Sequence, residues 1–137
     1  MNLKGNDRAL QDILANAKTI AVVGHSNKRD RPSYRIARFL REKSYRVYPV
    51  NPTMTEIEGM PCYSSLKEIP EAIDIVNIFR RSEFLPEIAT EAIAIEAKVF
   101  WAQEGIIHPE AAQIAAEAGL KVVMDVCIMI ESQRLLK

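Results

Sequence analysis

Apolar residues recur along the chain in short runs at near-even intervals. Five runs stand out, over 19–23, 46–50, 73–79, 98–102 and 121–126. Each is rich in Val, Ile or aromatic side chains, as strands are. Most lack clean apolar–polar alternation, which predicts strands covered on both faces. Successive runs begin about 25 residues apart, room for one strand, one helix and two turns. Between the runs the apolar spacing changes to three and four. Leu85, Ile88, Ala89, Ala92 and Ile93 form one such helical stripe, with Ser82 as its expected cap and Pro86 in its first turn. Ile36, Phe39 and Leu40 give 32–43 the same stripe, and alanine-rich 110–118 ends at Gly119, a left-handed C-cap. Leu10, Ile13 and Leu14 mark a helix near 7–16, and a last helix follows Cys127. The stretch 64–69 has room for only a turn or two, so the second crossover is reduced.

Repeated strand–helix units imply a parallel sheet with right-handed crossovers. The expected fold is therefore α/β and Rossmann-like, with three layers. Its five-stranded parallel sheet has the order 3-2-1-4-5 and helices on both faces, in one domain over 1–137. Such a sheet changes direction beside its first strand, and ligands bind there, outside the carboxyl ends. Four loops reach that edge: 24–31, 51–55, 80–82 and 103–108.

The first loop carries the densest polar chemistry. Gly24 ends the strand where backbone can approach a ligand, and Ser26 and Ser33 offer hydroxyls. Pro32 suits the first position of the next helix, whose free amides attract an anion. Lys28, Arg29 and Arg31 add charge suited to a phosphate. A solvated basic loop on a structural turn is the competing reading. Asn51-Pro52 follows the second run, where Pro52 locks the turn and Asn51 either caps it or contacts a ligand. Arg80 and Arg81 end the third run, one placed for phosphate and the other for the solvated rim. Gln103 and Gly105 follow the fourth, a polar group and a point of close approach.

Charge and cysteine content narrow the classes further. Eighteen basic residues balance eighteen acidic ones among 137, which argues against nucleic acid or a membrane surface as partner. Cys62 and Cys127 form no Cys-x-x-Cys pair, so a zinc ribbon or thioredoxin-type motif is not expected. No apolar run approaches the ~18 residues of a membrane helix, and the first residues lack a signal peptide's apolar stretch. A reducing cytoplasm is the expected compartment. The dinucleotide fingerprint Gly-x-Gly-x-x-Gly and the P-loop Lys-Ser/Thr pair are both absent. Asn51 stands where a nicotinamide dinucleotide site places an acid.

Taken in order, these elements resemble the stand-alone CoA-binding protein family. More distantly, they resemble the amino-terminal CoA-binding domain of the succinyl-CoA synthetase α subunit. The resemblance runs from about Leu10 to Leu135. It rests on Ala21-Val22-Val23-Gly24-x-Ser26, Arg31-Pro32-Ser33-Tyr34, Tyr48-Pro49-Val50-Asn51-Pro52 and Gly59-x-x-Cys62-Tyr63. Further on come Ile78-Phe79-Arg80-Arg81, Trp101-x-Gln103-x-Gly105 and Val122-Val123-Met124-Asp125-x-Cys127. It implies coenzyme A as the ligand, surrounded by Gly24, Ser26, Ser33, Asn51, Pro52, Arg80, Gln103 and Gly105. His25 departs from the small residue usual in such loops; it either stacks on the adenine or narrows the loop.

Catalytic chemistry is not expected of this chain alone. The synthetase forms its phosphohistidine in a second domain, and no counterpart of it is expected within these 137 residues. His108 precedes Pro109 at a helix start and reads as a cap or surface residue, and His25 has no evident acid partner. Cys127 reads as a small core residue, with a CoA-disulfide role as the alternative. A binding module, with a protein partner or self-association left open, is the first reading. An enzyme acting on CoA or an acyl-CoA, and a nucleotide-binding redox regulator, are the alternatives.

Overall fold

The computed structural model describes residues 1–136. Five strands form one parallel sheet: β1 (Thr19–Val23), β2 (Arg46–Val50), β5 (Ile75–Ile78), β6 (Val99–Ala102) and β7 (Lys121–Val123). A separate two-stranded hairpin, β3 (Glu56–Ile57) and β4 (Met60–Pro61), follows β2. The helices are α1 (Asp7–Asn16), α2 (Pro32–Glu42), α3 (Leu85–Ala94), α4 (Pro109–Glu117) and α5 (Ile128–Leu135).

Period-two alternation sorts the strand residues between two apolar layers. Ala21, Val23, Val76, Ile78, Phe100 and Ala102 face one layer, shared with buried residues of α3 and α4. Ile20, Val22, Ile75, Val99 and Trp101 face the other, shared with α1, α2 and α5. Both faces are therefore covered, and all of β1, β5 and β6 is buried. This explains why the strands lack an alternating polar pattern.

The sheet runs β2-β1-β5-β6-β7, so the third apolar run lies beside the first and not outside the second. Burial gives the reason. Ile75–Ile78 is buried throughout and needs strands on both sides, whereas β2 exposes Arg46 and half-buries Val47 and Tyr48, as an edge strand does. The outer side of β2 is taken by a single parallel bridge to Tyr63. The Tyr63 amide donates to the Pro49 carbonyl and the Asn51 amide to the Tyr63 carbonyl, each at 2.9 Å. Counted as the third position, this bridge restores the expected series 3-2-1-4-5, with one further strand beyond it. At the opposite edge Asn2 bridges Val122, and its side chain bonds both the amide and the carbonyl of Met124.

Local signals account for most helix ends. Pro32 opens α2, Gly119 takes φ +96° after α4, and the His108 imidazole accepts from the Ala111 amide to cap α4. Ser82 is not the α3 cap. It begins a 3-10 turn over Ser82–Phe84, and its hydroxyl accepts from the Ile107 amide, so α3 starts at Leu85. The reduced crossover holds one 3-10 turn, Leu66–Glu68. Among the described residues no helix is long and apolar enough to cross a membrane.

Candidate functional site

The reversal in strand order falls between β2 and β5, on either side of β1, and their carboxyl-end loops frame an open cleft of about 450 Å³. Gly24, Ser26, Lys28, Arg31, Ser33 and Asn51 line it, with Asn27, Pro32, Thr53, Met54 and Phe79. Gly24 has φ +89°, and a Cβ there would lie 3.2 Å from both the Phe79 carbonyl oxygen and Arg80 Cδ. A side chain would thus be strained by its backbone and crowded by the next loop. Its amide donates to the Val50 carbonyl at 2.8 Å, tying the ends of β1 and β2.

The hydroxyls of this loop are ordered by its own backbone. Ser33 Oγ accepts from the Ser26 amide at 3.0 Å, and Ser26 Oγ accepts from the Lys28 amide at 3.0 Å. In these bonds each hydroxyl acts as acceptor and keeps its proton for a ligand oxygen. Among the described residues no side chain caps α2, so the helix presents its amino end, with Lys28 and Arg31 beside it, to the cleft. Asn51 fixes the opposite wall. Its Nδ2 donates to the His25 carbonyl at 3.1 Å, and its Oδ1 accepts from the Thr53 amide and hydroxyl at 3.0 and 2.7 Å.

A second cleft of about 330 Å³ adjoins the first across β1. Val23, Val50, Pro52, Leu66, Phe84 and Ile88 give it apolar walls, and Arg80, Ser64, Ser65, Glu87 and Glu91 its polar ones. The Arg80 guanidinium lies 4.2 Å from the centre of the Phe84 ring, a cation–π contact that fixes its long side chain. Arg81 turns to the rim and pairs with Glu83 at 3.3 Å.

The remaining expected residues lie elsewhere. His25 is fully buried, its ring facing the protein and not the cleft. Its Nδ1 stands 2.8 Å from the Ser26 carbonyl and its Nε2 3.2 Å from the Arg41 guanidinium, while Tyr34 packs edge-on against it. Burial pushes the imidazole down from 6.5 to about 4. Gln103 is also buried. Its Oε1 accepts from Asn77 Nδ2 and from the Ile128 amide at 3.0 Å, anchoring the start of α5. Gly105 has φ +85°, and its amide donates to Asp125 at 2.6 Å, at the ends of β6 and β7. Cys127 is buried at the N-cap of α5, and neither cysteine has a histidine partner among the described residues.

Thr53, Met54 and Phe79 are cleft residues that sequence reasoning did not single out. The Asn51-Pro52 turn was the signal for the first two, since a turn anchored by Asn51 presents the residues after it.

A family model described as CoA binding domain matches residues 18–133. The uncharacterized protein YneT of Bacillus subtilis is 47% identical over 121 residues, covering 88% of this chain and 90% of that protein. Acetate--CoA ligase [ADP-forming] I of Archaeoglobus fulgidus is 31% identical over 121 residues, 81% of this chain but only 18% of the ligase. Among solved structures, a hypothetical protein from Pyrococcus horikoshii OT3 superposes with a TM-score of 0.95 at 38% identity, covering 100% of this chain and 97% of that one. A dinucleotide-forming acetyl-coenzyme A synthetase of Ca. Korarchaeum cryptofilum gives 0.71 at 25% identity, over 81% of this chain and 26% of its own.

Proposed function

The chain belongs to the CoA binding domain family, and on that premise we propose that it binds coenzyme A at the carboxyl ends of β1, β2 and β5 as a module without chemistry of its own. The observation that carries this reading is the uncapped amino end of α2. It opens on a cleft that also offers two serine hydroxyls, two cations and a glycine that no side chain could replace without strain. That donor set fits a diphosphate: the Ser33 amide with the helix dipole, hydroxyl protons, and mobile charge. The adjoining cleft, apolar and walled by Arg80 on Phe84, fits a purine base.

A role for Asn51 in ligand choice follows from its bonds. Its amide is committed to the His25 carbonyl and Thr53, and it offers no carboxylate to a ribose diol. Coenzyme A is therefore expected to bind more tightly than NAD. Catalysis finds no support in the side-chain geometry. His25 is enclosed and His108 caps a helix, so neither serves either thiol as a base. Titration calorimetry with coenzyme A, NAD and ATP tests the reading. Tightest binding of coenzyme A, with no turnover of acyl-CoAs, is the expected result. Tighter binding of NAD, or catalytic release of CoA, would overturn it. In the cell such a module would act by carrying or sensing the ligand, alone or with a protein partner.

A further inference from the structure

Behind the 24–31 loop, away from the ligand cleft, side chains from three elements meet. Glu58 stands at the turn of the β3–β4 hairpin, Tyr34 and Arg41 on α2, and His25 directly after Gly24. The Tyr34 hydroxyl donates to Glu58 at 2.6 Å, and that bond holds the Glu58 carboxyl below its usual range. Arg29, from the loop itself, pairs with the same carboxylate at 3.4 Å. Burial pushes the Arg41 guanidinium down, and the Glu58 charge in the same cleft opposes that shift. One carboxylate therefore serves a hydroxyl and two cations, and ties the hairpin to α2 and to the loop.

From there the contacts run to the peptide that carries the cleft's first hydroxyl. The Tyr34 ring packs edge-on against the buried His25 ring, with centroids 6.3 Å apart. The Arg41 guanidinium can only donate, so His25 Nε2 accepts from it at 3.2 Å and the ring proton sits on Nδ1. Nδ1 then donates to the Ser26 carbonyl at 2.8 Å, which fixes the orientation of the peptide after Ser26. Glu58, Tyr34, Arg41 and His25 all stand outside the ligand cleft, whereas Ser26 and Lys28 line it. An exposed loop left free would sample many shapes, and binding would have to order it each time.

We propose that these four side chains brace the 24–31 loop in its ligand-ready shape, with Glu58 as a positioning residue for a ligand it does not touch. The inference rests on the function proposed above and adds that binding at that site is set in part by the hairpin. The brace acts on the free protein. Without it the loop is competent for only a fraction of the time, and apparent affinity falls by that fraction. The loss falls on association, because a loop already bound is held by the ligand and release is unchanged. Ile57, next to Glu58, is buried, so the hairpin stays anchored when the carboxylate is removed.

Surface plasmon resonance of coenzyme A on the immobilised wild-type chain, Glu58→Gln, Tyr34→Phe and the double variant supplies the test. Each single variant is expected to slow association about three- to tenfold and to leave the dissociation rate within about twofold of wild type. The two substitutions cut one bond, so the double variant is expected to associate no more slowly than the slower single. Tyr34→Phe keeps its ring against His25, so the test stays decisive even if Glu58→Gln folds poorly. Wild-type association in Tyr34→Phe would overturn the brace. So would faster release at an unchanged association rate, the mark of a direct ligand contact, or losses that multiply in the double variant. Absence of binding by the wild type would instead bring down the proposed function, and the brace with it.

Discussion

His25 makes acid stability a sharp test of the loop architecture. Its ring is fully buried, and burial lowers it from 6.5 to about 4. A base whose native value lies below its unfolded value is protonated first in the unfolded chain. Unfolding then takes up a proton between pH 6.5 and about 4, so stability falls as pH falls through that window. At about 1.4 kcal/mol for each tenfold change, the whole span amounts to about 3 kcal/mol, of which about 2 kcal/mol is lost by about pH 5. Carboxylates contribute little above that pH, so the early loss belongs to the imidazole. In a domain of this size about 2 kcal/mol corresponds to a fall in Tm of roughly 6–10 °C. Thermal scans of the wild type and His25→Gln between pH 7 and 5 supply the comparison. The glutamine can still accept from Arg41 but does not titrate, so its curve is expected to stay nearly flat. Parallel curves for the two proteins would refute the assignment of the slope to His25.

Other expectations follow from the same contacts. Gly24→Ala forces a side chain to φ +89° against Phe79 and Arg80 and is expected to lower stability by about 1–2 kcal/mol, measurable by urea denaturation, while also weakening ligand binding. Ser26→Ala and Arg80→Ala are each expected to weaken coenzyme A binding by roughly 1–3 kcal/mol in calorimetry; normal binding by both would show that these loops are misassigned. Binding is expected to weaken with added salt, because the Lys28 and Arg31 contacts lie in an open cleft. Incubation with CoA disulfide is expected to leave the intact mass unchanged, since Cys127 is buried at the start of α5. A stoichiometric CoA adduct lost in Cys127→Ser would favour redox chemistry instead.

The parts of the fold that burial dictates were legible in the chain. Strands with two covered faces must be apolar throughout, so β1 appeared with its observed bounds and β6 differed only at its start, while the edge strand β2 was bounded by its β-branched and aromatic residues between Arg46 and Asn51. The position of Ile75–Ile78 was not legible, because an apolar run does not say which neighbour it joins. The hairpin was missed because two-residue strands show no period. Its one local signal was Glu58-Gly59, both with positive φ, the conformation a tight hairpin turn needs. Gly24, Ser26, Arg31, Ser33 and Asn51 line one cleft. Pro52 and Arg80 line the adjoining cleft. His25, Gln103 and Gly105 sit at loop positions too, but their polar atoms bond to Arg41, to the start of α5 and to Asp125. Whether a loop residue turns outward or inward depends on partners distant in sequence, which spacing alone does not reveal.

The two single-residue bridges at the sheet margins have a consequence for self-association. An uncovered outer strand offers a row of free amides and carbonyls to any other extended chain, and is a common route to aggregates. Tyr63 answers one such row beside Pro49 and Val50, where Arg46 and Tyr48 also engage Glu71. Asn2 answers the other beside Val122. Each plug is one or two residues, Tyr63 at one margin and Asn2 with the Leu3 amide at the other, so each margin is guarded by very few bonds. Replacing Leu3 with proline would remove the amide that donates to the Val122 carbonyl at 2.9 Å, free the β7 margin and leave the ligand clefts untouched. Such a variant should fold and bind normally at low concentration, yet form strand-paired assemblies on concentration or mild heating, well before the wild type does.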